Sequence, residues 1–124
     1  MSYLDHFSPD RVARIHIEVL RLLQVERLYR DADTTARRLA EIIGCDHRAI
    51  SAAVSLSTGG NFSTLLAKIR IQEACRLLRD EKYASHNLEE IGLLCGFSSR
   101  QSFYNAFSKI MGGTPRQYRQ RHAS

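Results

Sequence analysis

The sequence predicts an all-α fold of about seven helices, arranged as two helix-turn-helix units joined by a long linker helix. Three observations predict it. Apolar residues recur three and four apart through most of the chain, and no stretch alternates with the period of two that a half-buried strand needs. Glycines gather at a few places where those helical stripes stop. A pattern of cap, short helix, glycine, cap, second helix, glycine also occurs twice, 52 to 53 residues apart.

Ser8-Pro9 opens the first helix, with Ser at the N-cap and Pro at the first helical position. Val12, Ile15, Val19 and Leu22 then follow at 3-4-3 spacing, widened by Leu23, and the helix is expected to run to about Tyr29. "RDADTT" reads as a polar connector. Thr35 caps a second helix, Ala36 to Ile43, which Gly44 ends. Asp46 caps a third, reaching about Ser55, with Ile50 and Val54 inward. After "STGGN", Phe62 to Arg79 forms a fourth helix whose main stripe is Ala67, Ile71, Ala74 and Leu78.

"DEKYASH" reads as a loop. Asn87 with Glu90 makes a capping-box start for a fifth helix, Leu88 to Cys95. Ser98 with Gln101 is expected to start a sixth, which carries Phe103, Ala106, Phe107 and Ile110 inward. "MGGTP" stops it. Thr114 and Pro115 begin a seventh, ending near Arg121.

The repeat aligns Thr35, Leu39, Ala40, Ile43 and Gly44 with Asn87, Ile91, Gly92, Cys95 and Gly96. One extra turn residue later it aligns Ile50, Val54 and Gly59 with Phe103, Phe107 and Gly112. A small residue in the first helix of each pair (Ala40, Gly92) lets two helices cross closely, and the glycine-centred turn sets their angle. This is the design of a helix-turn-helix, in which the second helix enters the major groove of DNA and the first braces it. The chain divides accordingly into an N-terminal helix and connector (1–33), a first unit (34–60), a linker helix (61–80) and a second unit with its closing helix (81–124).

Charge points the same way. The net charge of +5 over 124 residues sits entirely in the last quarter: residues 91–124 hold five basic residues and no acid, while residues 1–90 hold 13 of each sign. Fifteen of the 18 basic residues are Arg, the side chain suited to two-point recognition of phosphate or guanine. A basic face on folded helices reads as an anion-binding surface for nucleic acid.

Other classes are disfavoured. No apolar run approaches the ~18 residues of a membrane helix, and "MSYLDHFSPD" lacks the basic and apolar regions of a signal peptide. Cys45, Cys75 and Cys95 stand 30 and 20 residues apart without a CxxC pair, and read as small packing residues in a reducing compartment. His6, His16, His47, His86 and His122 are scattered and read as surface or cap residues, with no metal or cofactor expected. An enzyme would need an acid-base or nucleophile set that the chain does not assemble.

With these residues in view, the chain resembles the AraC family of bacterial transcription regulators. The matching positions are Ile91, Gly92 (usually Ala), Gly96, Phe97, Phe103, Phe107, Gly112, Thr114, Pro115, Tyr118 and Arg119. "RIQEACRLL" is similar to the family's linker segment, and "LYRDADTTARRLAEIIG" to its first helix-turn-helix. The resemblance covers about residues 29–120 and is more specific in the second half. The first unit departs from the pattern. Ser51, Ala52 and Ala53 are small where bulky or basic residues are usual, Val54 replaces Phe, and Arg37-Arg38 stand where acids are common.

The resemblance implies two homeodomain-like units on one face of double-stranded DNA, about one helical turn or ~34 Å apart. A linker of about 18 residues spans ~27 Å. The outward face of the sixth helix offers Arg100, Gln101, Tyr104 and Asn105 as base readers, with Gln101 alternatively serving its own capping box. The equivalent positions of the third helix are His47, Arg48, Ser51 and Ala52, of which Ala52 offers only a methyl group. Phosphate contacts are expected from Thr35, Asn87, Lys68, Lys109 and Arg116. Arg119, by its place in the family's Tyr-Arg pair, is expected to close the last helix onto the core.

The implied function is a cytoplasmic, sequence-specific DNA-binding domain that activates by contacting RNA polymerase. It stands alone or serves as the output of a longer protein with an N-terminal sensor. The alternative is a helical protein-interaction module that has lost DNA binding, suggested by the small residues of the third helix.

Overall fold

The structure is a computed structural model and describes residues 8–123; the N-terminal segment up to Phe7, including His6, lies outside the described residues. The described residues form seven α-helices and no strand: α1 (Pro9–Leu20), α2 (Ala36–Ile43), α3 (His47–Thr58), α4 (Phe62–Arg79), α5 (Leu88–Leu94), α6 (Arg100–Met111) and α7 (Pro115–Arg121). They fall into two compact units. One comprises the described part of residues 1–28 with Asp33–Leu66, the other Tyr29–Ala32 with the chain from Ala67 onward. Helix α4 begins in the first unit and ends in the second.

In the first unit, Ser8 caps α1 by accepting from the Arg11 N–H at 3.1 Å. Ile15, Val19, Leu22 and Leu23 face the core. The first helix is shorter than its spacing predicts. A π-helical turn, Arg21–Val25, ends it, and Arg27 adopts φ 61°. Tyr29 stands seven residues after Leu22, in helical register with the stripe of α1. Its burial comes instead from the second unit, where it sits in a 3₁₀ turn. Helix α2 occupies the predicted span, between Thr35 and the left-handed Gly44. Helix α3 outruns its prediction by three residues. Exposed Leu56 gives no inward signal there, and the stop comes from Gly59.

The second unit packs α4, α5, α6 and α7 around Ile71, Ala74, Leu78, Ile91, Cys95, Phe103 and Phe107. The aromatic rings meet edge to face, with Phe103–Phe107 at 5.9 Å and Phe107–Tyr118 at 5.7 Å between centroids. Burial pushes the Cys95 thiol up to about 12, as suits a packing residue. Three arginines tie loops and helices to this core. Arg70 donates from Nε to the Tyr29 carbonyl and from Nη2 to that of Asp31, each at 2.8 Å. Arg119 donates to the carbonyls of His86 (2.7 Å) and Tyr83 (2.9 Å). Arg79 donates to the Tyr118 hydroxyl at 3.0 Å. The stretch read as a loop after α4 contains a 3₁₀ turn, Glu81–Tyr83, capped by Asp80.

The start of α6 corrects the sequence reading by one residue. Ser99, not Ser98, is the N-cap, and its box partner is Ser102, not Gln101. Ser99 supplies the extended backbone (φ −151°, ψ 159°) from which its hydroxyl reaches the Ser102 N–H. Gln101, at the second helical position, points away from that box. Helix α5 ends one residue before Cys95, which is its C-cap.

The internal repeat is structural. Cys45 N–H donates to Ala40 O at 3.0 Å, and 52 residues later Phe97 N–H donates to Gly92 O at 3.0 Å. Gly59 and Gly112 close α3 and α6 with φ 75° and 77°. Ile50, Val54, Phe103 and Phe107 are all fully buried.

Candidate nucleic-acid interface

The inward face of α6 is set by Phe103 and Phe107, so the residues between them are turned outward. Arg100, Gln101 and Asn105 are exposed and Tyr104 is half-buried. These four form two couples one helical turn apart. The Arg100 guanidinium carbon lies 4.9 Å from the centroid of the Tyr104 ring. Gln101 Nε2 donates to Asn105 Oδ1 at 2.9 Å. Gln101 is therefore held by a neighbour on the outward face and takes no part in the cap.

Arg100 and Tyr104 open onto a groove of about 720 Å³ that Asn87, Thr114, Arg116 and Arg119 also line. Two guanidinium groups, those of Arg100 and Arg116, thus share one concave surface, which the Glu89 carboxylate also lines. Arg119 reaches the same groove, with one donor on each of Nη1 and Nη2 engaged by the carbonyls of His86 and Tyr83.

The first unit presents a different face. Asp46 caps α3 and forks onto Arg48: Arg48 Nε donates to Oδ1 at 3.2 Å and Nη2 to Oδ2 at 3.0 Å. His47 Nδ1 approaches the same carboxylate at 3.5 Å. The Arg48 hydrogen bonds hold the Asp46 carboxyl down at about 2. Ser51 is exposed, whereas Ala52 is buried at 6% exposure, against the expectation that it faces outward. The reason is the width of the apolar face: Ala49, Ile50, Ala52, Ala53 and Val54 all pack inward.

The expected phosphate contacts do not form one set. Arg116 joins Arg100 and Tyr104, and so does Asn87. The Asn87 side chain is committed to its capping box with Glu90. Lys68 lines a separate groove with Gln72, Cys75, Arg79 and Ile110. Lys109 is exposed in the last turn of α6. Thr35, in the first unit, accepts from the Arg38 N–H at 3.2 Å as the N-cap of α2.

Sequence reasoning missed three features. The Arg100–Tyr104 couple was visible as a cation and a ring four residues apart. The Asp46–Arg48 fork was visible as an acid cap two residues before an arginine. The anchoring of Tyr29 and Asp31 by Arg70, across some 40 positions of chain, left no local signal.

Comparison with known proteins gives the family and the fold. Residues 39–121 match the helix-turn-helix domain family. The HTH-type transcriptional activator RhaR of Yersinia pseudotuberculosis is 39% identical over 64 residues, which are 52% of this chain and 21% of that protein. The aligned part is thus about a fifth of that relative's length. The C-terminal domain of AraT, a response regulator from Geobacillus stearothermophilus, superposes with a TM-score of 0.73 at 28% identity, covering 94% of this chain and 88% of that one. A transcriptional regulator from Chromobacterium violaceum, described as of AraC-type DNA-binding domain-containing proteins, shares the fold with a TM-score of 0.76 at 23% identity, covering 90% and 95%.

Proposed function

Because the chain belongs to the AraC-type helix-turn-helix family, as a DNA-binding domain of a bacterial transcription regulator, we propose that it binds double-stranded DNA sequence-specifically and reads it chiefly through α6. Arg100 is the principal reader, directed at guanine O6 and N7. Gln101 and Asn105 are directed at adenine N6 and N7. Arg116 and Lys109 neutralise phosphates beside this face, and Lys68, Asn87 and Thr35 serve as further backbone contacts. The observation that carries this reading is the exposed α6 face, with Arg100 and Arg116 on one groove in a segment free of acid after Glu90.

Helix α3 is the second reading element, through His47, Arg48 and Ser51, in a major-groove segment about 10 base pairs away. Segments 34–60 and 81–124 are then the two reading units. The burial of Ala52 and the engagement of Arg48 by Asp46 favour a smaller share for the first unit: it holds the backbone more than it reads bases.

The chain acts by binding, in the cytoplasm, as the output domain of a longer sensor-regulator, and it activates by contacting RNA polymerase. The naming of one relative as a transcriptional activator and of another as the C-terminal domain of a response regulator supports the activating and output-domain parts of this reading. No helix among the described residues is long and apolar enough to cross a membrane. Fluorescence anisotropy with duplex DNA across a salt series tests the proposal. Binding whose log affinity falls linearly with log salt is expected. No binding at low salt overturns it and leaves a protein-interaction module as the reading.

A further inference from the structure

We propose that Tyr104 is a positioning residue for Arg100: its ring holds the guanidinium in place for guanine readout. The inference rests on the assignment of α6 as the reading helix. Tyr104 is itself fixed. It is half-buried, packs against the second unit's core, and meets Phe103 edge-on at 5.9 Å and 82°. Arg100 stands one turn earlier on the same face, with its guanidinium carbon 4.9 Å from the ring centroid.

A guanidinium attracted to a ring face spends none of its N–H donors on that contact. It can therefore be held in place and still offer two donors to guanine O6 and N7. A long side chain that is already ordered loses less freedom when it binds, so more of the contact appears as discrimination. The repeat supplies an internal comparison. The counterpart of Tyr104 in the first unit is Ser51, which has no ring, and that of Arg100 is His47; the neighbouring Arg48 is held instead by hydrogen bonds from its Nε and Nη2 to Asp46, which occupy two of its donors.

The test uses duplex DNA selected from a random library by the intact chain. Arg100→Ala identifies the base pair that Arg100 reads, by erasing the preference there. Tyr104→Leu is expected to lower the preference at that same pair by about 2- to 5-fold, the worth of an exposed cation–ring contact. Preferences at other pairs and the salt slope stay as in the unmodified chain, and Tyr104→Phe, which keeps the ring, behaves like the unmodified chain. Should Tyr104→Leu not fold, Tyr104→Gln is measured in the same way.

An unchanged preference at the Arg100 pair overturns the proposal. So does an equal loss in Tyr104→Phe, which would make the hydroxyl the active group, and so does a uniform loss at every pair. If the unmodified chain enriches no sequence, the DNA-reading assignment itself fails. If it enriches a site and only the Tyr104 variants are silent, the failure is confined to Tyr104.

Discussion

Gly92 of α5 lies so close to Phe103 of α6 that a Cβ on Gly92 would stand 2.7 Å from Phe103 Cδ2. The ring has little room to yield. It is fully buried and flanked by Phe97, tilted against it at 5.3 Å, and Phe107, edge-on at 5.9 Å. This contact sets how closely the bracing helix crosses the helix that presents Arg100.

Gly92→Val is expected to cost about 1–3 kcal/mol, because overpacking a filled core forces side chains off their rotamers. Gly92→Ala is milder, since about 1 kcal/mol of helix propensity offsets part of the clash. Urea unfolding followed by circular dichroism checks both, the Val variant showing the lower midpoint.

The two carbonyls held by Arg70 belong to Tyr29 and Asp31, in the short segment that joins the second unit from earlier in the chain. Arg70→Met should destabilise this unit by about 1.5–3 kcal/mol, the range for a hydrogen bond to a charged group. Arg70→Lys should not restore it, because a point-like ammonium lacks the planar fork. Hydrogen exchange of the α5 and α6 amides reads the loss. Unchanged protection in both variants would contradict the role given to Arg70.

The Asp46 carboxyl is depressed to about 2 by the Arg48 hydrogen bonds. A depressed acid contributes stability that is fully present above its ordinary value near 4 and is lost as pH falls through about 2. Arg48→Ala should return the carboxyl toward its ordinary value, followed by carbon NMR. Asp46→Ser places in the first unit the residue type that caps α6. It removes a negative charge from the N-terminal end of α3, the end proposed to face DNA, and should raise affinity for duplex DNA, most strongly at low salt. A lower affinity would show that Asp46 helps Arg48 to bind, and an unchanged one would contradict the expectation.

Much of this was legible in the sequence because it is locally encoded. Seven helices, the N-caps of α1, α2, α3, α5 and α7, and the 52-residue repeat follow from Ser, Thr, Asp and Asn before apolar stripes and Gly after them. What local patterns miss depends on the rest of the fold. Tyr29 lies in register with α1 and is buried elsewhere. Ala52 lies at an outward position of the repeat and is covered because the face of α3 is wide. Gln101 fits a capping box by spacing from Ser98, but the backbone turns one residue later. Of the candidate site, the α6 face was legible. The pairing of its side chains, and that of Asp46 with Arg48, was signalled only by spacing and needed the structure to be seen.

In the proposed mode of binding, α6 reads bases and α3 contributes less. Selection of duplex DNA from a random library, run with the unmodified chain and with Arg100→Ala, tests it most directly. The expected result is a well-defined box containing a guanine, with a more degenerate box about 10 base pairs away. Arg100→Ala should lose the preference at that guanine and about 1–3 kcal/mol of affinity for the selected site. Enrichment of no sequence, or a box unchanged by Arg100→Ala, would contradict it.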